Sequence, residues 1–149
     1  MRRTAGFTLL ELLVVILILG ILLSIVGINL TKLRNPAREG QALTSATLKT
    51  MRARAIVTTS AYRMTLTTDK LSLQADTAAD CSSTTWTRKA LYDMTLPDKA
   101  AFQNTAWVVC FNSRGTISTL PALPLTVTDS NNHQYGLQAY LGGAIGATP

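Results

Sequence analysis

The sequence predicts an α+β protein: one long N-terminal helix whose outer half lies on a C-terminal antiparallel β-sheet domain. Three observations predict it. From Phe7 to Leu30 the chain is apolar, broken by polar side chains only at Thr8, Glu11, Ser24 and Asn29. Leu33, Ala37, Gly40, Thr44, Leu48, Met51 and Ala55 then recur at the spacing of one helix face. From about Ser60 the hydrophobic period drops to two.

The apolar run comes first. At 1.5 Å per residue, about 20 helical residues cross a ~30 Å hydrocarbon core. Arg2 and Arg3 precede the run and favour a cytoplasmic N-terminus. One carboxylate, Glu11, stands near the head of the run. Burying it in lipid costs roughly 1–3 kcal/mol, so an opposite charge is needed to offset it. A secretory signal peptide has a short apolar core and then a small-residue cleavage site; neither occurs here. A plain signal anchor explains the length and the arginines. It explains neither Glu11 nor its distance from Gly6.

Gly6-Phe7, Glu11 and the helix behind them, GFTLLELLVVILILGILLSI, together resemble the class III signal of type IV pilins and type II secretion pseudopilins. The resemblance implies that a prepilin peptidase cuts after Gly6 at the cytoplasmic face. Phe7 then becomes the N-methylated N-terminus. Glu11 pairs with the N-terminal amine of a neighbouring subunit during assembly. The implied partners are other pilins in a hetero-oligomeric filament, the peptidase, the inner-membrane assembly platform and, before assembly, membrane lipid. The implied location is the bacterial inner membrane, single-pass, and then a periplasmic or cell-surface filament. On this reading residues 1–6 are the leader and 7–30 the transmembrane and assembly half of the helix. Residues 31–59 are its amphipathic half and 60–149 the β-rich globular domain. Many pilins carry a proline at the twenty-second mature residue, where this chain has Ile28. Pro36 is the only proline in the helical region, so a kink or break is expected near Asn35-Pro36.

Beside the small-residue face runs a basic stripe, Arg34, Arg38, Gln41, Ser45, Lys49 and Arg52. A solvated polar face is one reading. Contact with acidic neighbours, lipid headgroups or DNA phosphates is the other, with Arg34, Arg38, Lys49, Arg52, Arg54 and Arg63 as candidate contacts. Tyr62, Met64 and Leu66 alternate with polar residues, Thr68-Asp69-Lys70 reads as a turn, and Leu71 and Leu73 continue the alternation, which makes a hairpin. Ala75 to Thr85 reads as a polar loop, Trp86 to Tyr92 as a third strand, and Pro97 to Thr105 as irregular. Trp107 to Phe111 is a buried strand closed by the turn Asn112-Ser113-Arg114-Gly115. Leu123 to Thr128 and Tyr135 to Leu141 pair around Ser130-Asn131-Asn132.

Leu48 to Ile56 with the strand after it is similar to the helix-to-strand junction of the GspH/FimT group of minor pilins. Cys110-Phe111-Asn112-Ser113-Arg114-Gly115 is similar to that group's Phe-x-x-x-Gly turn, and Tyr135 to Ile145 with Gly142-Gly143 to its last strand and glycine. Some members bind DNA through arginines after that glycine. Here Gly142 to Pro149 holds no cation, so that motif is absent.

The two cysteines, Cys81 and Cys110, belong to a domain expected outside the cytoplasm, where disulfides persist. A bond between them would add roughly 3–4 kcal/mol in the chain-entropy model; two buried free thiols are the alternative. Loss of Arg2 and Arg3 with the leader leaves 12 cations against 8 acids. That balance permits nucleic-acid contact without demanding it. No enzymatic activity, cofactor or metal is expected. His133 is the only histidine and sits in a polar turn. Asp69, Asp76, Asp80, Asp93, Asp98 and Asp129 are scattered and read as turn formers. The expected function is that of a minor pilin or pseudopilin that starts or caps a filament. A DNA-binding pilin for natural transformation and a major structural pilin are the alternatives. Pilus, competence and type II secretion filaments share the same N-terminal physics.

Overall fold

A computed structural model of the protein describes residues 8–32, 35–118, 121 and 123–148. Gly6, Phe7, Leu33 and Arg34 lie outside them. The chain forms two compact units, Met1–Arg34 and Asn35–Pro149.

The first unit contains helix α1, Leu9–Lys32. Thr8 starts it: its carbonyl and its Oγ1 both accept the Glu11 N–H, at 3.1 and 3.3 Å. Thr8 and Glu11 thus have the spacing of a capping box, and a carboxylate in the first turn is favoured by the helix dipole. Every side chain from Thr8 to Ser24 is exposed. Among the described residues no helix is long and apolar enough to cross a membrane. The side chains described in α1 end at Ser24, short of the roughly 20 residues a span needs.

The second unit opens with helix α2, Pro36–Thr58. Asn35 caps it by accepting the Arg38 N–H at 3.0 Å. Pro36 occupies the first turn, where a missing N–H costs nothing. Thr59 ends the helix in the left-handed conformation, its N–H returned to the carbonyls of Ala55 and Ile56. The buried face is Ala37, Gly40, Thr44, Leu48, Met51 and Ala55, the face that the spacing predicts. A Cβ on Gly40 would lie 2.8 Å from Leu96 Cδ2 and 3.1 Å from Val127 Cγ1, so side chains of the support fill the space that glycine leaves. The break expected near Asn35-Pro36 falls where α1 has ended and α2 begins.

Two antiparallel sheets support α2, where a single sheet was expected. The first has the order β3-β2-β1-β6, with β4 also on β2. Its strands are β1 Ala61–Leu66, β2 Ser72–Ala78, β3 Thr87–Arg88, β4 Met94–Thr95 and β6 Val108–Phe111. The second has the order β5-β7-β8-β9: β5 Ala100–Phe102, β7 Leu125–Asp129, β8 Gln134–Ala139 and β9 Ile145–Thr148. The β1–β2 hairpin is in register from Ala61↔Ala78 to Leu66↔Leu73. Helix α2 lies against β1 of the first sheet and β7, β8 and β9 of the second. Met64, Leu73, Phe102, Val109, Phe111, Leu125, Val127 and Leu137 fill the space beneath Leu48 and Met51.

Four segments differ from the expectation. Strand β2 runs through Ala78, so the polar loop begins later. The expected third strand shortens to Thr87–Arg88, followed by a 3-10 turn at Ala90–Tyr92. Strand β5 lies inside the stretch read as irregular, and β9 in the glycine-rich tail. Ala-Ala-Phe and Ile-Gly-Ala-Thr are too short to announce strands. Their pairing with β7 and β8 is imposed by the sheet they join.

Candidate functional site

The candidate contacts begin with the cations of α2 and β1. Arg38 and Lys49 are exposed. Arg52 is not a free surface charge: its Nε donates to the Gly115 carbonyl at 3.0 Å and its Nη2 to the Gly142 carbonyl at 3.2 Å. Two tight turns bring those carbonyls to it. Gly115 and Gly143 have φ of 72° and 79°, and a Cβ on Gly143 would stand 1.9 Å from the Gly115 carbonyl oxygen. Only glycine fits such a contact. The glycines that carry the sequence resemblance are therefore packing positions, where Arg52 joins α2 to both sheets.

The guanidinium of Arg54 lies over Tyr92, 5.3 Å from the ring centre. Arg63 bonds Asp76 at 2.9 Å and stacks 4.1 Å from the centre of the Trp86 ring. Three of the five described candidates, Arg52, Arg54 and Arg63, are thus engaged within the chain. Among the five described candidates, the structure does not make one stripe of free cations. It gathers instead Arg54, Arg63, Arg88 and Lys89 around Trp86 and Tyr92. Arg88 bonds Asp93 and approaches Asp76 at 3.9 Å. Nothing in the spacing of Arg88 and Lys89 announced this grouping, which depends on the fold of residues 79–95.

That segment is tied down covalently. Cys81 and Cys110 form a disulfide across a sequence separation of 29 residues, with Cα atoms 5.9 Å apart. The bond fixes the start of the excursion to β6, beside the Arg63–Trp86 stack. The indole N–H of Trp86 donates to the Ser83 carbonyl at 2.8 Å, which closes the loop on itself.

Asp69, Asp80 and Asp129 shape turns, whereas Asp76 lies within β2 and pairs with Arg63, and Asp93 pairs with Arg88, so these two are ion-pair partners rather than the turn formers expected. The Asp129 side chain is fully buried. Its carboxylate accepts the Asn131 and His133 N–H groups at 2.8 and 3.0 Å and meets His133 Nδ1 at 2.9 Å. Burial pushes its pKa up, but the hydrogen bonds from His133 and Asn131 outweigh it and hold the carboxyl below its ordinary range. Asp69 and Asp80 are lowered by hydrogen bonds in exposed turns, chiefly from Thr67 and Ser82. Among the described residues no three His, Cys, Asp or Glu side chains could hold a metal ion. An open groove of about 330 Å³ is lined by Gln103, Asn104, Thr105, Leu123, Pro124 and Thr126. That lining holds no acid, base or charged group.

Comparison with known proteins bears on both units. Residues 1–27 match the prokaryotic N-terminal methylation motif. No curated protein matches the chain. Among solved structures it is similar to the minor pseudopilin EpsH from the Type 2 Secretion System of Vibrio cholerae. The TM-score is 0.57 at 14% identity, over 76% of this chain and 97% of that one. At that identity the likeness is one of fold. The chain thus carries a methylation motif at its head and a fold similar to that of a minor pseudopilin behind it.

Proposed function

We propose that the chain is a minor subunit of a type IV filament system, acting in initiation or at the tip. The observation that carries this reading is the methylation motif at residues 1–27 joined to a domain with a minor pseudopilin's fold. Prepilin peptidase cuts between Gly6 and Phe7, and Phe7 is N-methylated. The apolar run from Phe7 crosses the inner membrane once with the N-terminus inside, held in lipid until the assembly platform extracts it. Glu11 then meets the N-terminal amine of a neighbouring subunit. Two features support this role for Glu11. It stands alone among apolar residues in a helix whose described side chains are all exposed. Its cost in lipid requires a countercharge, and a filament of similar helices supplies one.

A DNA-binding role draws less support, because Arg52, Arg54 and Arg63 already have partners within the chain.

The test is quantitative mass spectrometry of filaments sheared from native cells, on wild type and Glu11→Val. The expected result is a trace ratio to the dominant pilin, with the chain starting at methylated Phe7. In the variant the same processed terminus persists in the membrane and the subunit disappears from the filaments. A ratio near one would make this chain the building material of the filament. Normal incorporation of the variant would remove the role given to Glu11.

A further inference from the structure

We propose that the 3-10 turn Ala90–Tyr92, with the C-terminal end of α2, is a docking surface for an acidic protein partner. The partner is a neighbouring filament subunit that presents carboxylates around an apolar side chain. The inference rests on the filament reading above and adds to it a surface and a partner chemistry.

The first observation is apolar exposure on a fixed element. Leu91 is 87% exposed and Val57, one turn beyond Arg54 on α2, is 76% exposed. The turn that carries Leu91 is held from several sides. Tyr92 stands edge-on to Tyr62, ring centres 6.3 Å apart. The Lys89 N–H donates to the Ala75 carbonyl at 2.8 Å, and the Ala75 N–H to the Asp93 carboxylate at 3.0 Å. Arg88 is clasped by Asp93 and Asp76. A leucine displayed on such a turn loses little conformational freedom when it is covered, which is what an interface anchor needs.

The second observation is charge. From Gly40 to Thr68 the chain has four cations, Lys49, Arg52, Arg54 and Arg63, and no acid. The acids that do come near, Asp76 and Asp93, are taken by Arg63 and Arg88. Arg54 and Lys89 therefore flank Leu91 and Tyr92 with no carboxylate partner among the described residues. An apolar anchor flanked by two such cations selects an apolar side chain flanked by carboxylates. The anchor supplies affinity, and the rim charges steer encounter and reject basic surfaces.

Other occupants fit less well. Single-stranded nucleic acid uses open aromatic faces as stacking platforms, but Arg54 covers Tyr92 and Arg63 covers Trp86. Of the exposed acids that a second copy offers beyond α1, Glu39, Asp69 and Asp98 each adjoin a cation in sequence, Asp93 is paired with Arg88, and Asp80 has only Ala79 and Cys81 beside it, so none stands beside a large exposed apolar side chain in sequence.

The experiment places a photo-crosslinking p-benzoylphenylalanine at Leu91 of the full-length protein in native cells, with Asn131 as an exposed control position. Filaments are sheared after irradiation and adducts mapped by mass spectrometry. The expected adduct is a single pilin-like subunit crosslinked beside Asp or Glu residues. Arg54→Glu with Lys89→Glu should reduce it roughly tenfold while the protein stays in the filament. Lysines placed at the mapped carboxylates of the partner should then restore it. Presence in filaments with no more adduct at Leu91 than at Asn131 overturns the proposal. So does an adduct to nucleic acid, or one indifferent to charge reversal. Absence of the unmodified protein from sheared filaments would overturn the filament reading and this inference with it.

Discussion

Helices α1 and α2 are almost equal in length, 24 and 23 residues, and opposite in where their apolar surface goes. The described side chains of α1 are exposed all round, including Leu9 to Leu23. In α2 one narrow face is buried and the rest is polar or small. Covering a leucine is worth roughly 1.5–3 kcal/mol, so a dozen such side chains left uncovered in α1 forgo what Leu48 and Met51 of α2 gain. The contrast teaches a division of labour. The sequence of α2 is written for its own sheets, and on the filament reading proposed above that of α1 is written for molecules outside the chain.

The sharpest way to break that contrast is to truncate one leucine in each helix. Leu48 is 1% exposed beneath both sheets. Leu48→Ala should cost the second unit about 3–5 kcal/mol, as buried leucine truncations do. Leu17, 59% exposed, should change to alanine with no effect on unfolding of that unit. Urea denaturation of the full chain in detergent, followed by tryptophan fluorescence, checks both. A matching loss from Leu17→Ala would mean that α1 supports the domain and that the division is wrong.

The disulfide sharpens the same contrast. Serine at both Cys81 and Cys110 should lower stability by about 3–4 kcal/mol, the loop-closure value for a separation of 29 residues. The same denaturation curve reads it. The proposed processing at Gly6-Phe7 should not change, because those residues belong to the other unit. A loss well under 1 kcal/mol would mean that the 79–95 segment is held by its ion pairs and stacking alone.

How much of this was legible depended on the length of the signal. The α2 face was readable to the residue because six contacts recur over five turns with a fixed period. The β1–β2 hairpin was readable because alternation and a turn sequence coincide. Strands β5 and β9 were not, since three or four residues carry no period and their pairing comes from distant partners. The division into two sheets was hidden for the same reason. Among site residues, Glu11 stood out because a carboxylate in an apolar run is costly. Its capping partner Thr8 is equally legible in the T-x-x-E spacing. Arg52 was misread as a free stripe residue, since periodicity places a side chain on a face and says nothing of loops 60 and 90 residues away that fold over it.

Arg52 therefore supplies the next test. Arg52→Ala removes two charge-assisted hydrogen bonds and leaves two carbonyls to find water, at a cost of about 2–3 kcal/mol. Gly143→Ala should be at least as damaging, since its Cβ meets the Gly115 carbonyl in a backbone conformation that alanine avoids. The same substitution at Gly142, where a Cβ meets nothing within 4 Å, should be nearly silent. Equal melting temperatures for the two glycine variants would refute the assignment of Arg52 and Gly143 as the joint between helix and sheets.

The smallest effect is electrostatic and also stays inside the second unit. Asp129 has a folded-state pKa below its ordinary value: burial opposes ionisation, but His133 and the Asn131 and His133 N–H groups favour it more strongly. A depressed carboxylate contributes stability above its unfolded pKa and loses it as pH falls through the folded one. The wild type should therefore lose stability progressively below about pH 4, where an unfolded aspartate begins to bind its proton. Asn at position 129 still offers a carbonyl oxygen to the two backbone N–H groups but cannot titrate. Asp129→Asn should give up part of the neutral-pH stability and show a shallower acid limb. The urea midpoint measured from neutral pH down through the carboxylate range separates this from a loss of packing, which would shift the whole curve without changing its slope. Asp69 and Asp80 contribute their own acid sensitivity in both proteins, so the difference between the two curves isolates Asp129. Curves that stay parallel throughout would mean that its hydrogen bonds do no more than shape the β7–β8 turn.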